Sequence, residues 1–409
     1  MRSPFKTLVA SLLLVGCSSA SENGAKNAGP EDGDGDGVSV ADGDCNDADD
    51  TIYPGADEIW DDGIDQDCDG EDTDSDVERC RDAIPCPEQI LPVYNDWDAI
   101  AMCSSIESSI EYSAPDPIPD NCLQEVAGSI TIFGGNYDRL DGLPLLTNIG
   151  GDLEIGSNPS VTVARFKRLE TVGGVLQIGG RIFGVASGND ALTTASFPQL
   201  STVEGEWLHV SLNPLLSSIE LPLLAAVDGS LEVANSTSLQ ALAFESLETV
   251  SGTLDVSANS GLVSIAAPLL TETGESLVIR DNDALTTVDM PKATTVGLQF
   301  NVWENPSLQL LEMPSLVSTD VVSVMENDAL ESVVLNALET TSDSFFFAYN
   351  EQLTNLELGS FRDSGQNLTV MYNDSLCQSA VDDLLETLQE RGWSGTSEQY
   401  TLIGNDDSC

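Results

Sequence analysis

Positive charge is scarce in this sequence. The 409-residue chain has 14 Lys and Arg residues against 69 Asp and Glu residues, which gives a formal net charge of −55. Such a chain repels the phosphates of nucleic acids and of anionic lipids, and it attracts divalent cations. We therefore expect no nucleic acid among its partners.

Histidine and long apolar runs are also scarce. His209 is the one histidine of the chain, and the sequence around it offers no Ser-His-Asp or Cys-His arrangement. We therefore expect a protein that is not an enzyme. The apolar run near the start, from Leu8 to Val15, is too short to span a bilayer.

Helical spacing of apolar residues is absent from the middle of the chain, where an asparagine returns every 22 to 24 residues. The unit reads Leu208-x-Val210-x-x-Asn213, and two further apolar stretches with period two follow it, separated by Gly, Pro and Asn turns. This pattern predicts an all-β parallel β-helix of about eleven coils over residues 110–376. The inward asparagines would bond turn backbone groups and each other. The repeated position is held by Asn158, Asn213, Ser236, Asn259, Asn282, Asn305, Asn327, Asn350 and Asn373.

The repeat resembles the receptor L domain family. The likeness rests on that unit, on strand entries such as Gly151-Asp152-Leu153-Glu154-Ile155, and on leucines such as Leu216 and Leu262 that come three residues after the asparagine. Ordinary leucine-rich repeats place this leucine two residues after the asparagine. The resemblance implies a right-handed β-helix that binds proteins. Extra residues from Arg181 to Gly188 are expected to leave the rod as a loop.

The start of the chain has the shape of a secretory signal, since Arg2 and Lys6 precede the short apolar run. The run ends in Leu14-Val15-Gly16-Cys17, which resembles the lipobox of bacterial lipoproteins. That resemblance implies removal of residues 1–16, lipidation of Cys17 and a tether over residues 17–30. We expect an exported protein that is held to the outer membrane by lipid alone, either periplasmic or surface-exposed. An ordinary signal peptide with an incidental cysteine is the alternative.

Residues 31–76 carry twenty acidic residues and no Lys or Arg. Asp32-x-Asp34-x-Asp36-Gly37 and Asp65-x-Asp67-x-Asp69-Gly70 each repeat the first half of an EF-hand loop, in which carboxylates at alternate positions converge on one cation. Hard oxygen ligands favour calcium over softer metals. The candidate metal ligands are Asp32, Asp34, Asp36, Asp42, Asp44, Asp47, Asp65, Asp67, Asp69 and Asp76.

The same stretch resembles the metal-binding repeat named after the MopE copper protein. The likeness rests on the paired Cys45 and Cys68, on Tyr53-Pro54-Gly55 and on the closing Asp67-Cys68-Asp69-Gly70. It implies a metal site, and we expect calcium rather than copper because the stretch has no histidine. Cys45 and Cys68 should form a disulfide in an oxidising compartment. The alternative is an acidic, solvated spacer.

Both ends of the solenoid need a cover, because an open β-helix end exposes unpaired strand edges. Residues 77–109 are expected to cap the first coil, with two disulfides among Cys80, Cys86, Cys103 and Cys122 whose pairing the sequence leaves open. Residues 377–409 should cap the last coil through a helix that begins at Ser379 and a disulfide between Cys377 and Cys409.

Exposed aromatic and methionine residues on the last five coils predict a docking surface. In the strand pattern the residues between the inward apolar positions face outward, and large side chains there mark an interaction patch for a protein or glycan at the cell surface. Scattered surface residues, or burial under the C-terminal cap, are the alternative. The candidate partner-binding residues are Arg280, Trp303, Met325, Phe346 and Met371.

These features predict a lipid-anchored, calcium-binding surface protein whose solenoid serves recognition or adhesion. The first alternative is a metal-sequestering lipoprotein in which the solenoid is only a platform. The second is a calcium-dependent, polysaccharide-active enzyme that uses outward carboxylates on neighbouring coils, such as Glu232 and Asp255.

Overall fold

The sequence repeat forms three stacked rows of parallel strands in the computed structural model. The chain divides into two units, Met1–Ser75 and Asp76–Cys409. The second is a β-solenoid, and the fold as a whole has about twelve turns. Across the part of the chain that the structure describes, no helix is long and apolar enough to cross a membrane. The structure describes residues 33–34, 37–54, 56, 64–66, 68, 77, 79–86, 93–94, 97–182, 184–393, 395–396 and 399–409.

The first face of the solenoid carries the strands that end just before each repeated asparagine. They pair in parallel register from coil to coil, so that Leu208 lies beside Leu231 and Val210 beside Val233. The strands are Val93–Tyr94, Ile110–Tyr112, Ile130–Phe133, Leu153–Gly156, Leu176–Gly179, Trp207–Ser211, Ser230–Ala234, Leu254–Ser257, Leu277–Arg280, Gln299–Trp303, Ser318–Met325, Thr340–Ala348, Asn367–Met371 and Tyr400–Ile403.

Two further faces complete each coil. The second face follows the asparagine, with strands Arg139–Leu140, Val163–Arg165, Thr194–Ser196, Ser218–Glu220, Ala241–Ala243, Ser264–Ala266, Thr287–Asp289, Leu310–Glu312, Ser332–Val334 and Asn355–Glu357. The third face carries Ile84–Cys86, Cys103–Ile106, Glu125–Val126, Asn148–Ile149, Thr171–Val172, Thr202–Val203, Ala226–Val227, Thr249–Val250, Glu272–Thr273 and Thr295–Val296. From Ser318–Met325 onward, one longer strand serves both the third and the first face.

The interior is a continuous apolar column, because alternate residues of every strand point inward. Leu208 is 0 % exposed and Val210 is 1 % exposed, and the equivalent residues of the other coils are buried in the same way. Near the C-terminal end the column is aromatic, with the ring of Phe345 stacked 4.6 Å from that of Phe347 and 4.8 Å from that of Phe361. Because the parallel strands are in register, similar side chains stack on one another from coil to coil.

The predicted asparagine ladder is confirmed. Asn305 is fully buried, and its side-chain amide donates to the carbonyl of Ile279 at 3.0 Å and to Asn327 Oδ1 at 3.2 Å. Its own Oδ1 accepts from the backbone N–H of Asn282 at 3.3 Å. The ladder also includes Asn189 and Asn405, which the spacing did not reveal. These bonds satisfy turn groups that no water can reach.

A left-handed residue precedes the ladder position in most coils. The φ angle lies between 53° and 58° at Ser157, Leu212, Asn235, Ala258, Asp281, Glu304, Glu326, Tyr349 and Tyr372. This sharp corner turns the ladder side chain inward. It leaves the side chain of the left-handed residue on the outer edge of the rod. Residues other than glycine adopt this conformation at a cost, which the ladder hydrogen bonds offset.

The inserted residues after the strand Leu176–Gly179 form a short antiparallel hairpin of Arg181–Ile182 and Val185–Ala186. The chain returns to the rod at Ser187, whose N–H donates to the carbonyl of Gly180 at 2.8 Å. The extra segment thus leaves the solenoid, as expected, and the ladder resumes at Asn189.

Disulfides fasten both ends of the solenoid. The structure pairs Cys80 with Cys122 and Cys86 with Cys103, which the sequence left open. It also joins Cys377 to Cys409, the pair that we expected.

The C-terminal helix, α1 (Gln378–Glu390), packs Val381 and Leu388 against the end of the core. Its N-cap is Cys377 and not Ser379 as predicted. The helix starts earlier because the Gln378 N–H donates to the carbonyl of Asp406 and the Ala380 N–H to that of Cys377. At the other end, Trp97–Ala99 forms a 3-10 turn.

Candidate functional site

The acidic module is closed by a disulfide between Cys45 and Cys68, the pair expected from the sequence, with Cα atoms 5.7 Å apart. A backbone bond from the Tyr53 N–H to the carbonyl of Gln66, 2.8 Å long, joins the same two segments. The module has almost no apolar residues of its own, so these cross-links and any bound cation must hold it together.

Asp44 is the most informative acid in this module. Its side chain is buried, with 4 % of the residue exposed, and its Oδ1 accepts the Asn46 N–H at 2.8 Å. Its Oδ2 is also buried and finds no hydrogen-bond donor among the described residues. A buried, unpaired carboxylate oxygen is unfavourable unless a cation or a proton neutralises it. Asp44 is therefore a candidate ligand for a metal ion.

Other candidate ligands lie close by in the module. Asp47 Oδ1 accepts the N–H of Gly33 at 2.9 Å, which places the first Asp-rich loop against Asp47. Asp42 Oδ2 accepts the Ser39 hydroxyl at 2.8 Å. Within the described residues, no group of three or more His, Cys, Asp or Glu side chains gathers closely enough to hold a metal ion. Asp32, Asp36, Asp67, Asp69 and Asp76 lie outside the described residues, as do Cys17 and the whole of residues 1–30.

Comparison with known proteins identifies this module. Residues 44–74 match the family Cu-binding MopE, which is described as a putative metal-binding motif. The chain therefore carries a MopE-type metal-binding motif followed by a β-solenoid. The family's name does not favour calcium over copper, and the identity of the metal remains a prediction. No curated protein and no solved structure matches the chain. The receptor L resemblance and the right-handed coil likewise stay predictions.

The structure places four of the five predicted docking residues in one row of the first face. Strand register aligns Arg280 with Trp303, Trp303 with Met325, and then Ala348 with Met371. Phe346 lies in the adjacent row, beside Ser323 and Thr369. The five predicted residues, Arg280, Trp303, Met325, Phe346 and Met371, are half-buried.

A groove of about 750 Å³ runs along the corner next to this row. One wall is the left-handed corner residues, and the other wall is the residues just after the ladder asparagines. The local sequence does not indicate this groove, because its side chains come together only when the coils stack. The groove is lined by Asp281, Asp283, Glu304, Pro306, Glu326, Asp328, Tyr349, Glu351, Tyr372 and Asp374.

The groove is strongly negative at one end and aromatic at the other. Tyr349 and Tyr372 stack with ring centroids 5.2 Å apart and are 45 % and 41 % exposed. The pKa of Glu304 is raised, chiefly because Asp281 hydrogen-bonds its protonated form and repels its charged form. The guanidinium group of Arg280 contacts this edge, with its Nη1 2.8 Å from Asp281 Oδ2. The groove thus offers crowded carboxylates beside an aromatic platform.

His209 has partners that the sequence analysis did not expect. Its Nδ1 lies 3.2 Å from Glu232 Oε2, and its Nε2 lies 2.5 Å from Ser211 Oγ. The sequence around His209 shows no Ser-His-Asp or Cys-His arrangement, but the structure brings Ser211 and Glu232 to the two ring nitrogens of His209. Glu232 comes from the next coil, where it occupies the same repeat position as His209. Aligning the repeats would have revealed this contact.

This environment shifts the pKa values of the neighbouring carboxylates Glu232 and Asp255. The pKa of Glu232 is lowered, first by its hydrogen bond with His209, although burial opposes the shift. Asp255 lies beside Glu232 in the strand register, and burial raises its pKa. Glu232 therefore keeps its charge next to the imidazole, whereas Asp255 gains a proton more readily than an ordinary aspartate.

Proposed function

We propose that this protein binds a divalent cation through its MopE-type module and recognises a cationic segment of a partner protein through its solenoid. The observation that carries the first half is the buried Oδ2 of Asp44, which finds no hydrogen-bond donor among the residues that the structure describes. The observation that supports the second half is the acidic and aromatic groove on the last coils.

Calcium is the cation that the donor set favours. The side chains available in the module are carboxylates, and the two cysteines are tied up in a disulfide. The chain has no histidine in this region to hold copper. Hard oxygen donors suit calcium, and sites of this kind in extracellular modules bind it with Kd values of about 10⁻⁴ to 10⁻³ M. Asp44 would be a direct ligand of this cation.

Asp44→Asn should weaken calcium binding by at least about tenfold, since the loss of even an outer-shell group costs about 10- to 100-fold in metal affinity. Isothermal titration of the full chain with calcium and, separately, with copper checks this. The matched control is Asp49→Asn, because Asp49 Oδ1 accepts from the hydroxyl of Thr51 at 2.7 Å and an asparagine keeps that acceptor. Equal affinity in both variants, or tight binding of copper alone, would contradict a calcium site at Asp44.

The recognition half of the proposal rests on charge complementarity. The groove gathers carboxylates from consecutive coils, and bringing them together costs free energy that a cationic partner would recover. The stacked Tyr349 and Tyr372 offer ring faces to Lys or Arg side chains. The row of Trp303 and Met325 continues this surface, so the docking residues predicted from the sequence would form its apolar margin.

Removing charge from the groove should weaken binding of a Lys-rich peptide. Two exposed charge pairs contribute about 1–2 kcal/mol together, so the double variant Glu304→Gln with Glu326→Gln should bind about 5- to 30-fold more weakly. Fluorescence anisotropy with a labelled oligolysine measures this. The control pair, Glu312→Gln with Glu331→Gln, removes the same charge elsewhere. Equal weakening by the control would refute a local site, and binding of a neutral glycan instead would refute the cationic partner.

As the pH falls, binding of the Lys-rich peptide should begin to weaken at a higher pH than the titration of ordinary glutamates would predict. Because the pKa of Glu304 is raised, this side chain loses its negative charge at a higher pH as the pH falls. The Glu304→Gln variant lacks this titration and should show a flatter pH profile just above the ordinary glutamate pKa of about 4.3. Parallel profiles for the two proteins would contradict the role given to Glu304.

We also propose that the protein is exported and held by a lipid on Cys17. The four disulfides support an oxidising compartment, since such bonds are rare in the cytosol. Mass spectrometry of the N-terminal peptide, from protein extracted from membranes, tests this proposal. A peptide that begins at diacylated Cys17 is the expected result, and one that retains residues 1–16 would contradict it.

A further inference from the structure

His209, the one histidine of the chain, lies where several unusual features of the solenoid meet. The strand that precedes the hairpin ends in Gly179 and Gly180, with φ angles of 76° and 77°. The hairpin leaves the rod from this point. A Cβ on Gly180 would lie 2.6 Å from His209 Nε2, so glycine is needed for the backbone to pass so close to the imidazole ring.

The side chains around the ring form a chain of contacts whose hydrogen-bond direction depends on the tautomer of His209. With Nδ1–H donating to Glu232, the neutral imidazole has its Nε2 free to accept the Ser211 hydroxyl. A hydroxyl, an imidazole and a carboxylate in this order, at these distances, are the parts of an activated serine nucleophile. The lowered pKa of Glu232 is consistent with a carboxylate that stays charged and holds the ring.

Two hollows give access to this site. One, of about 350 Å³, is lined by Ser211, Gly180 and Gln177. The other, of about 390 Å³, is lined by Trp207, Gln177 and Glu154. Ser211 is only 4 % exposed, so its hydroxyl is reached through the first hollow. The indole of Trp207, 42 % exposed, provides an apolar wall in the second.

We propose that Ser211, His209 and Glu232 form a hydrolytic site for uncharged carboxylic esters. Trp207 would receive the apolar part of the substrate, and Glu154 in the same hollow disfavours anionic substrates. Gln177 lies beside His209 in the strand register and lines both hollows, where it would contact the substrate. This proposal is independent of the metal-binding and recognition functions.

In the first step the Ser211 Oγ forms a bond to the ester carbonyl carbon, and its proton passes to His209 Nε2. The bond from that carbon to the alkoxy oxygen then breaks, and the leaving alkoxide takes the proton from Nε2. In the second step a water molecule attacks the acyl-serine and gives one proton to Nε2. The bond to Oγ breaks, Oγ recovers that proton, and the carboxylic acid is released. Glu232 acts as a positioning residue for the imidazole.

Labelling of the full chain with a fluorophosphonate tests the proposal. Serine attack on this probe forms a phosphorus–oxygen bond and expels fluoride, and mass spectrometry locates the modified residue. We expect modification at Ser211, none in Ser211→Ala, and labelling about 10²- to 10⁴-fold slower in His209→Gln, the range of general-base catalysis. Ser257→Ala is the matched control, because Ser257 occupies the same repeat position and should not affect the rate.

The role of Glu232 has its own test. Glu232→Asp should label faster than Glu232→Gln, because the shorter carboxylate still accepts from Nδ1–H and the amide does not supply charge. Circular dichroism establishes that each variant is folded. Folded wild-type protein that is not labelled, labelling at another serine, or an unchanged rate in His209→Gln would each overturn the proposal.

Discussion

Asn305→Ala should lower the free energy of unfolding by about 2–6 kcal/mol, since at least two buried groups would each lose a partner at about 1–3 kcal/mol. The Asn282 N–H and side-chain amide both donate to Asn305 Oδ1, at 3.3 and 3.2 Å. The carbonyl of Ile279 would lose the donor that lies 3.0 Å away. Chemical denaturation followed by circular dichroism measures the loss.

The control for this substitution is Asn301→Ala in the same coil. Asn301 is also largely buried, but it faces outward, and its amide donates to the side chain of Gln299 at 2.9 Å. Its loss should cost about 1 kcal/mol, the net worth of one ordinary hydrogen bond. Equal destabilisation by the two substitutions would show that the ladder has no special role.

Phe347→Ala should destabilise the C-terminal coils by about 3–5 kcal/mol, the range for a large aromatic side chain deleted from a core. Phe347 is fully buried and stacks on Phe345, which in turn packs against Phe361. The rod has a narrow interior, and the backbone of neighbouring coils is fixed by strand pairing, so the cavity cannot collapse easily. Thermal and chemical unfolding of the purified variant checks this.

The adjacent residue provides the control. Phe346 points to the other side of the same strand and is half-buried, so Phe346→Ala should cost about 1 kcal/mol or less, as outward substitutions usually do. The same variant should change partner binding if the docking surface is correct. A larger loss of stability at Phe346 than at Phe347 would mean that the inward and outward faces of the strand are reversed.

The repeated asparagine explains why much of the fold could be predicted from the sequence. A single inward polar residue with a regular spacing fixes the strand before it, the corner and the register of the next coil. Asn189 was missed because the hairpin lengthens its coil, and Asn405 was missed because α1 and the following loop separate it from Asn373. The ladder is regular in space but not in sequence at these two points.

The sites were less predictable, because their side chains meet across coils. Glu232 and His209 are 23 residues apart in sequence but adjacent in register, and nothing in either local sequence indicates the contact. The corner groove arises in the same way from residues such as Glu304 and Tyr349. The cysteine pairing of the N-terminal cap was unpredictable for another reason: four cysteines allow three pairings, and this segment does not follow the repeat. In contrast, the metal module could be recognised from its local spacing alone.

The metal site at Asp44 is the central functional claim, and a crystal structure of the full chain grown with calcium tests it most directly. We predict one cation within about 2.3–2.6 Å of Asp44 Oδ2, the usual calcium–oxygen distance, surrounded by further carboxylates of the Asp-rich loops. Parallel crystals grown with copper should lack metal density there. Copper bound at this position with calcium absent, or no cation beside Asp44 at saturating calcium, would contradict a calcium site at Asp44.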